Sequence, residues 1–474
     1  MAKTNADTVT EMTTKPVGRL IIKLAVPTII TMMVTAIYNT ADTFFVSQIG
    51  TEASGAVGVI FSLMTMIQAG GFMIGMGSGS ITSRALGHGD LKKASVYCST
   101  ALVFAFSLGS LLLILGTIFN EPLIRSLGAT ETILPYAQDY GRYILFACPF
   151  MMTSFVMNNQ LRFQGKAAFA MVGMVTGGIL NMFLDPLFIF VFKLGISGAA
   201  IATLVSQFTS FCILSWMFVF KRSAVEFSFK NTGRRLSIYT DIITTGLPSL
   251  FRQGMSSVSS IFMNLGAARY GALLTGFAIA GTAMTTKQTA DAAVAGMAIT
   301  NRICMLLMSV AIGVGQGFQP VCGMNLGAKK YDRVRQAVSF MIKLNTILMT
   351  IFAIVVFIFA PQLTKSFRDD PAVIAVATLA LRFSCCVLPF HSIIFGTNML
   401  LQVAGVKIKA TVLSSMRQGI VFVPVILLLP LITTYFFSNG ILGIQLTPAV
   451  SDLISALIAL PFMIIYLKNL GKEK

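Results

Sequence analysis

The chain has 474 residues and a formal net charge of +18; 55% of the residues are hydrophobic, 11% are charged, and the mean hydropathy is +0.81. Those values exclude a water-soluble globular domain and mark an integral membrane protein. The excess of Lys and Arg does not indicate nucleic acid as a partner, because it is distributed by membrane side.

A spanning helix needs about 20 mostly apolar residues. That measure predicts an all-α polytopic membrane protein with twelve transmembrane helices, at 20–47, 56–82, 94–119, 134–159, 167–192, 196–220, 241–270, 293–325, 334–360, 373–402, 408–436 and 441–467. Residues 1–19 are polar with no apolar core before Leu20, and read as a cytoplasmic tail rather than a cleavable signal. With both termini cytoplasmic, inner segments carry twenty-three Lys and Arg and outer loops eight, while Arg252, Arg302, Lys343 and Arg417 lie inside helices. That is the positive-inside bias. The inner clusters KRSAVEFSFKNTGRRL (221–236), RALGHGDLKK (84–93) and LGAKKYDRVR (326–335) are expected to meet anionic lipid. A bacterial inner membrane is the expected location, and a monomer the expected state.

Cys98, Cys148, Cys212, Cys304, Cys322, Cys385 and Cys386 all fall in apolar helical segments without C-x-x-C spacing, and read as inert thiols. His88, in an inner loop, and His391, just past Pro389, read as structural, and the 27 methionines read mostly as core filler. No cofactor is expected.

The chain repeats itself. A shift of 240 residues places GMGSGSITSRALG (75–87) on GQGFQPVCGMNLG (315–327), and carries Arg142 onto Arg382, Pro149-Phe150 onto Pro389-Phe390, Asn158 onto Asn398 and Gly165 onto Gly405. The first helices match at a shift of 221, LAVP ending at Pro27 against TGLP ending at Pro248, so the second half carries about 19 more residues. These lie near 271–296 and read as an extra outer turn or short helix. Two pseudo-symmetric six-helix bundles follow, 20–220 and 241–474, joined by the basic cytoplasmic linker 221–240. Six helices per repeat gives both repeats the same orientation, an arrangement known from alternating-access transporters.

Acids inside hydrocarbon are functional candidates by default. Asp42, in IYNTADTFFV, and Asp185, in NMFLDPLFIF, each lie in the outer part of an outward-running helix. Tyr38 stands one turn before Asp42, and Asn181 one turn before Asp185, so each pair shares a helix face. Two carboxylates close together in low dielectric cannot both ionise cheaply, which describes a proton carrier. The same oxygens, with the Asn181 amide and the Thr203 hydroxyl, could instead hold a sodium ion. The matching positions of the second half are Met263 and Val425, so the acid pair belongs to the first half alone. The second half has Arg252 in FRQG, Arg417 in MRQG and Asp452 in AVSDLISAL, read as a buried ion pair or triad. Arg302 has no nameable partner.

With its two six-helix halves, the inner G-x-G…LG signatures and the Tyr38/Asp42 plus Asn181/Asp185-Pro186 pattern, the sequence resembles the multidrug and toxic compound extrusion (MATE) family from Val17 to Leu467. It looks most similar to the DinF-like and MepA-like bacterial members. The resemblance implies that Asp42, Asn181, Asp185 and Thr203 form the cation-coupling site with Tyr38 beside it, and that Tyr143 and Met263 are cavity candidates. It also implies an antiporter driven by inward H⁺ or Na⁺ that exports small organic, often cationic and amphipathic, compounds. A flippase for a lipid-linked oligosaccharide or cell-wall precursor shares the broader architecture, and would need a strongly basic cavity from residues such as Arg252, Arg302 and Arg417. An intramembrane enzyme would need a nucleophile with its base, or a metal cluster, at one depth; two distant histidines and no H-E-x-x-H argue against it.

Overall fold

A computed structural model describes residues 5–220, 223–272 and 286–471, and the described residues form helices with no strand among them. The first half supplies α1 (Val17–Ser47), α2 (Thr51–His88), α3 (Leu91–Ile118), α4 (Leu134–Phe163), α5 (Ala167–Val191) and α6 (Gly195–Val219). The second supplies α7 (Leu236–Ala272), α8 (Thr286–Gly327), α9 (Tyr331–Phe367), α10 (Pro371–Ala404), α11 (Lys407–Phe437) and α12 (Gly440–Asn469). Ten of the twelve are long and apolar enough to cross a membrane by composition alone. The exceptions, α4 and α7, are 30 and 37 residues long. Their polar side chains turn inward: Asn158, Asn159 and Gln160 on α4, and Thr245 and Ser249 on α7, are buried in protein rather than presented to lipid. Satisfying polar groups internally is what the bilayer demands.

The described residues pack as two compact units, one of Met1–Leu250 with Gly313–Ala337 and Gln402–Lys407, the other of Phe251–Ile312 with Val338–Leu401 and Ile408–Lys474. Within the first unit, α4 packs against α2, α3, α5 and α6, while α5 lies between α1 and α6. That arrangement gathers the outer parts of α1, α4, α5 and α6 around one point.

The repeat seen in the sequence reappears in hydrogen bonds. Asn158 Nδ2 donates to the Ala170 carbonyl at 3.0 Å, and Asn398 Nδ2 donates to the Ala410 carbonyl at 2.8 Å. Between those bonds in each half, the chain turns through a left-handed glycine, Gly165 (φ 78°) or Gly405 (φ 83°). The G-x-G…LG signature has a packing cause. A Cβ on Gly87 would strike the Met324 carbonyl, and one on Gly327 would strike the Arg84 carbonyl, the reciprocal contact under the same 240-residue shift. Only glycine permits this approach of helix backbones.

The stretch before α1 is helical over Asn5–Thr14. Its carboxy-terminal end is held in the first unit, where Lys330 Nζ donates to the Thr13 carbonyl at 2.9 Å and Arg333 Nη2 to the Lys15 carbonyl at 2.5 Å. Half of the predicted insertion near 271–296 falls on 273–285, outside the described residues; its flanks continue α7 to Ala272 and begin α8 at Thr286.

Among the described residues two helices carry a π-turn, and each turn lies at a charged residue. In α5 it spans Leu187–Val191, directly after Asp185-Pro186; in α11 it spans Met416–Ile420 and contains Arg417. The proline in α5 removes a donor from the ladder, and the wider i→i+5 bond from Phe192 N to Leu187 O, 2.9 Å, replaces the regular one. In α11 the Arg417 carbonyl is taken by the Ser451 hydroxyl at 2.9 Å. Such turns recur at functional sites.

Candidate functional site

Asp42 and Asp185 come from different helices into one shielded place. Asp185 is 0% exposed and Asp42 8%, and the two are near enough to act electrostatically on one another. A chain of polar groups joins them. The Tyr140 hydroxyl donates to Asp42 Oδ2 at 3.4 Å and also faces the Thr203 hydroxyl. Asn181 Nδ2 reaches Thr203 Oγ1 at 3.4 Å and donates to Asp185 Oδ1 at 3.1 Å. The 3.4 Å contacts are long for hydrogen bonds and leave room for adjustment.

The acceptors of this network outnumber its donors. Asp42 Oδ1, Asp185 Oδ2 and Asn181 Oδ1 are buried and receive no hydrogen bond, and the Ser206 oxygen on α6 is likewise unengaged. Buried oxygens in that state are expensive unless a proton or a cation joins them. The donor set fits either. A proton would convert one carboxylate into a donor, while oxygens of Asp42, Asn181, Asp185 and Thr203 would suit a hard cation such as Na⁺.

The structure thus brings together Tyr38, Asp42, Asn181, Asp185 and Thr203. Tyr38 is buried within electrostatic reach of both acids, with Gln207 facing its hydroxyl. Tyr143 is half-buried; the tyrosine that reaches Asp42 is Tyr140, one turn earlier on α4 and fully buried. Sequence reasoning missed Tyr140, Ser206 and Gln207. Ser206 and Gln207 lie three and four positions beyond Thr203, a helical spacing that could have found them. Nothing local separates Tyr140 from Tyr143.

In the second unit, Met263 lines a cavity of about 220 Å³ together with Arg302, Arg417, His391 and Asp452. Arg417 Nε meets Asp452 Oδ1 at 2.7 Å, and His391 Nε2 lies 3.0 Å from Asp452 Oδ2. His391, read from sequence as a structural residue, is thus the third member of this group. Arg252 is not: its buried Nη1 has no hydrogen-bond partner, and no ion pair forms to it among the described residues. All seven cysteines are free thiols, five of them buried.

Twelve long helices in two repeats, with ionisable groups buried among them, fit a polytopic transporter. The chain belongs to the MatE family, whose model matches it twice, at residues 27–187 and again at 267–428. It is 28% identical to a protein of Shewanella oneidensis named FAD transporter, across 93% of this chain and 92% of that protein. It is 24% identical to the multidrug export protein MepA of Staphylococcus saprophyticus, across 94% of this chain and 92% of the relative. The crystal structure of a MATE protein in complex with MaL6 superimposes with a TM-score of 0.88 at 26% identity, covering 98% of this chain and 99% of that one.

Proposed function

We propose that this MATE transporter is a cation-coupled antiporter in which H⁺ or Na⁺ enters from outside through the Asp42–Asp185 pocket and drives export of organic compounds by alternating access. One observation carries the reading: two carboxylates converge, with acceptor oxygens left open, in only one of two otherwise repeated halves. A purely structural acid would be expected in both. Ion uptake discharges the pocket, and its release inward restores the charge, so the protonation or occupancy of α1 and α5 is linked to their packing. One elementary charge crossing 100 mV is worth about 2.3 kcal/mol. That alone sustains roughly a 50-fold cargo gradient.

The lobes 20–220 and 241–474 are the bodies that move in this reading, working as a monomer in a bacterial inner membrane with both termini cytoplasmic, as the distribution of Lys and Arg supports. The MepA relative supports drug export, and acidic groups in the first half favour cationic amphipathic cargo. For cargo a second reading, an organic anion, is favoured by the basic cavity of the second unit and by the relative named for FAD.

The test is ethidium efflux from cells carrying Asp185→Asn with its membrane expression verified. Loss of gradient-driven efflux is expected, and efflux equal to that of the parent chain would remove the coupling assignment. Reconstitution in liposomes under separately imposed proton and sodium gradients then decides the ion.

A further inference from the structure

The cavity of the second unit is basic on balance, and the groups that would read an anion there can be named. Arg302, Arg417 and His391 line it, and Asp452 is the only carboxylate among its lining residues. That carboxylate is already held at both oxygens, by Arg417 Nε at 2.7 Å and by His391 Nε2 at 3.0 Å. His391 Nδ1 lies 3.1 Å from the Leu388 carbonyl, which only accepts, so Nδ1 carries a hydrogen. Nε2 itself makes no hydrogen bond there. Two guanidiniums, Arg302 and Arg417, then share the cavity with one carboxylate, so one positive charge is in excess.

Arg302 is exposed and Arg417 half-buried, so the excess charge is open to a dissolved counter-ion. The rest of the wall shows which kind of ion. Asn264, Asn301 and Gln418 offer amide donors, while Met263, Met297 and Phe422 offer apolar, adaptable surface. Guanidinium forks match phosphate and carboxylate oxygens. At about 220 Å³ the cavity is smaller than the roughly 300–1,000 Å³ of sites that enclose a drug-sized molecule. It suits the charged end of a ligand and part of an adjoining ring.

We propose that this cavity binds the phosphate or carboxylate group of a soluble organic anion, with Arg302 as the anchoring cation and Arg417, steered by Asp452, beside it. The anion is cargo only if the transport reading above holds; its binding does not depend on that reading. FMN and riboflavin differ by one phosphate and make the direct probe. Equilibrium dialysis of the full chain in detergent is expected to show FMN and FAD bound at least about tenfold more tightly than riboflavin. Arg302→Gln should abolish that preference, and Arg302→Lys should restore part of it. Equal affinity for FMN and riboflavin in the parent chain, which needs no variant to measure, overturns the proposal; so does a full FMN preference retained in the Arg302→Gln protein. A polyprenyl pyrophosphate in the same micelles separates a lipid source of the same chemistry: weaker binding than FAD supports a soluble anion, and displacement of FAD at equal concentration overturns it. No ion gradient enters these measurements, so their failure and the failure of Asp185-dependent coupling are read independently.

Discussion

The two halves of this transporter share a helix plan and differ in the charged groups gathered at their candidate sites. In the first, Asp42 and Asp185 converge with no basic side chain among their described hydrogen-bond partners, and each keeps one oxygen without a hydrogen bond. In the second, Asp452 is approached by Arg417 and His391, and Arg302 stands in the same cavity with no second carboxylate among the described lining residues. Duplication supplied the frame twice, and the side chains placed on it made one half a candidate cation site and the other a candidate anion site. The difference teaches that pseudo-symmetry of backbone carries no symmetry of chemistry: Met263 and Val425 stand where the acids would be.

The comparison is broken most severely by Asp42→Asn. If the acid pocket drives transport, gradient-driven efflux should fall about a hundredfold or more, equivalent to roughly 2.7 kcal/mol, measured as dye efflux at matched expression. Asp452→Leu should act on stability instead. Removing the carboxylate leaves Arg417 buried and unmatched, an effect of roughly 3–5 kcal/mol. Thermal unfolding in detergent reads it, and the Asp452→Leu/Arg417→Leu double variant should recover part of the loss. Next in size is Gly87→Ala, whose methyl meets the Met324 carbonyl; about 1–3 kcal/mol of overpacking is expected. Gly254→Ala, where a Cβ would meet nothing within 4 Å, should be near neutral in the same assay. A smaller effect than that of Gly87→Ala belongs to Tyr140→Phe. Losing one long hydrogen bond to Asp42 should weaken coupling only a few-fold, about 1 kcal/mol, and a loss as large as that of Asp42→Asn would make Tyr140 a direct participant.

Much of the frame was legible because bilayer physics writes it into composition. Apolar runs of membrane length, charge bias between loops, and a 240-residue register held across several helices required no coordinates. The Tyr38/Asp42 and Asn181/Asp185 pairs were legible for a related reason, since an acid in an apolar run stands out and its i−4 neighbour shares its face. Tyr140 was not legible: its sequence neighbours match those of many helix tyrosines, and its partner lies 98 residues away. His391 reads as structural from the sequence, but its approach to Asp452, 61 positions on, is a contact that no local pattern announces. Arg252 shares the Arg-Gln-Gly triplet of Arg417 yet not its partner, so a repeated motif did not imply a repeated contact.

Spans, repeat and the presence of intramembrane charge are one-dimensional properties, because lipid acts on each helix separately and penalises polar groups residue by residue. Which charge meets which, and which remains open to a ligand, depends on the rotation and crossing of helices far apart in the chain. Those are set by contacts such as the reciprocal seating of Gly87 and Gly327 against opposing backbones, where a single methyl group would hold the helices apart.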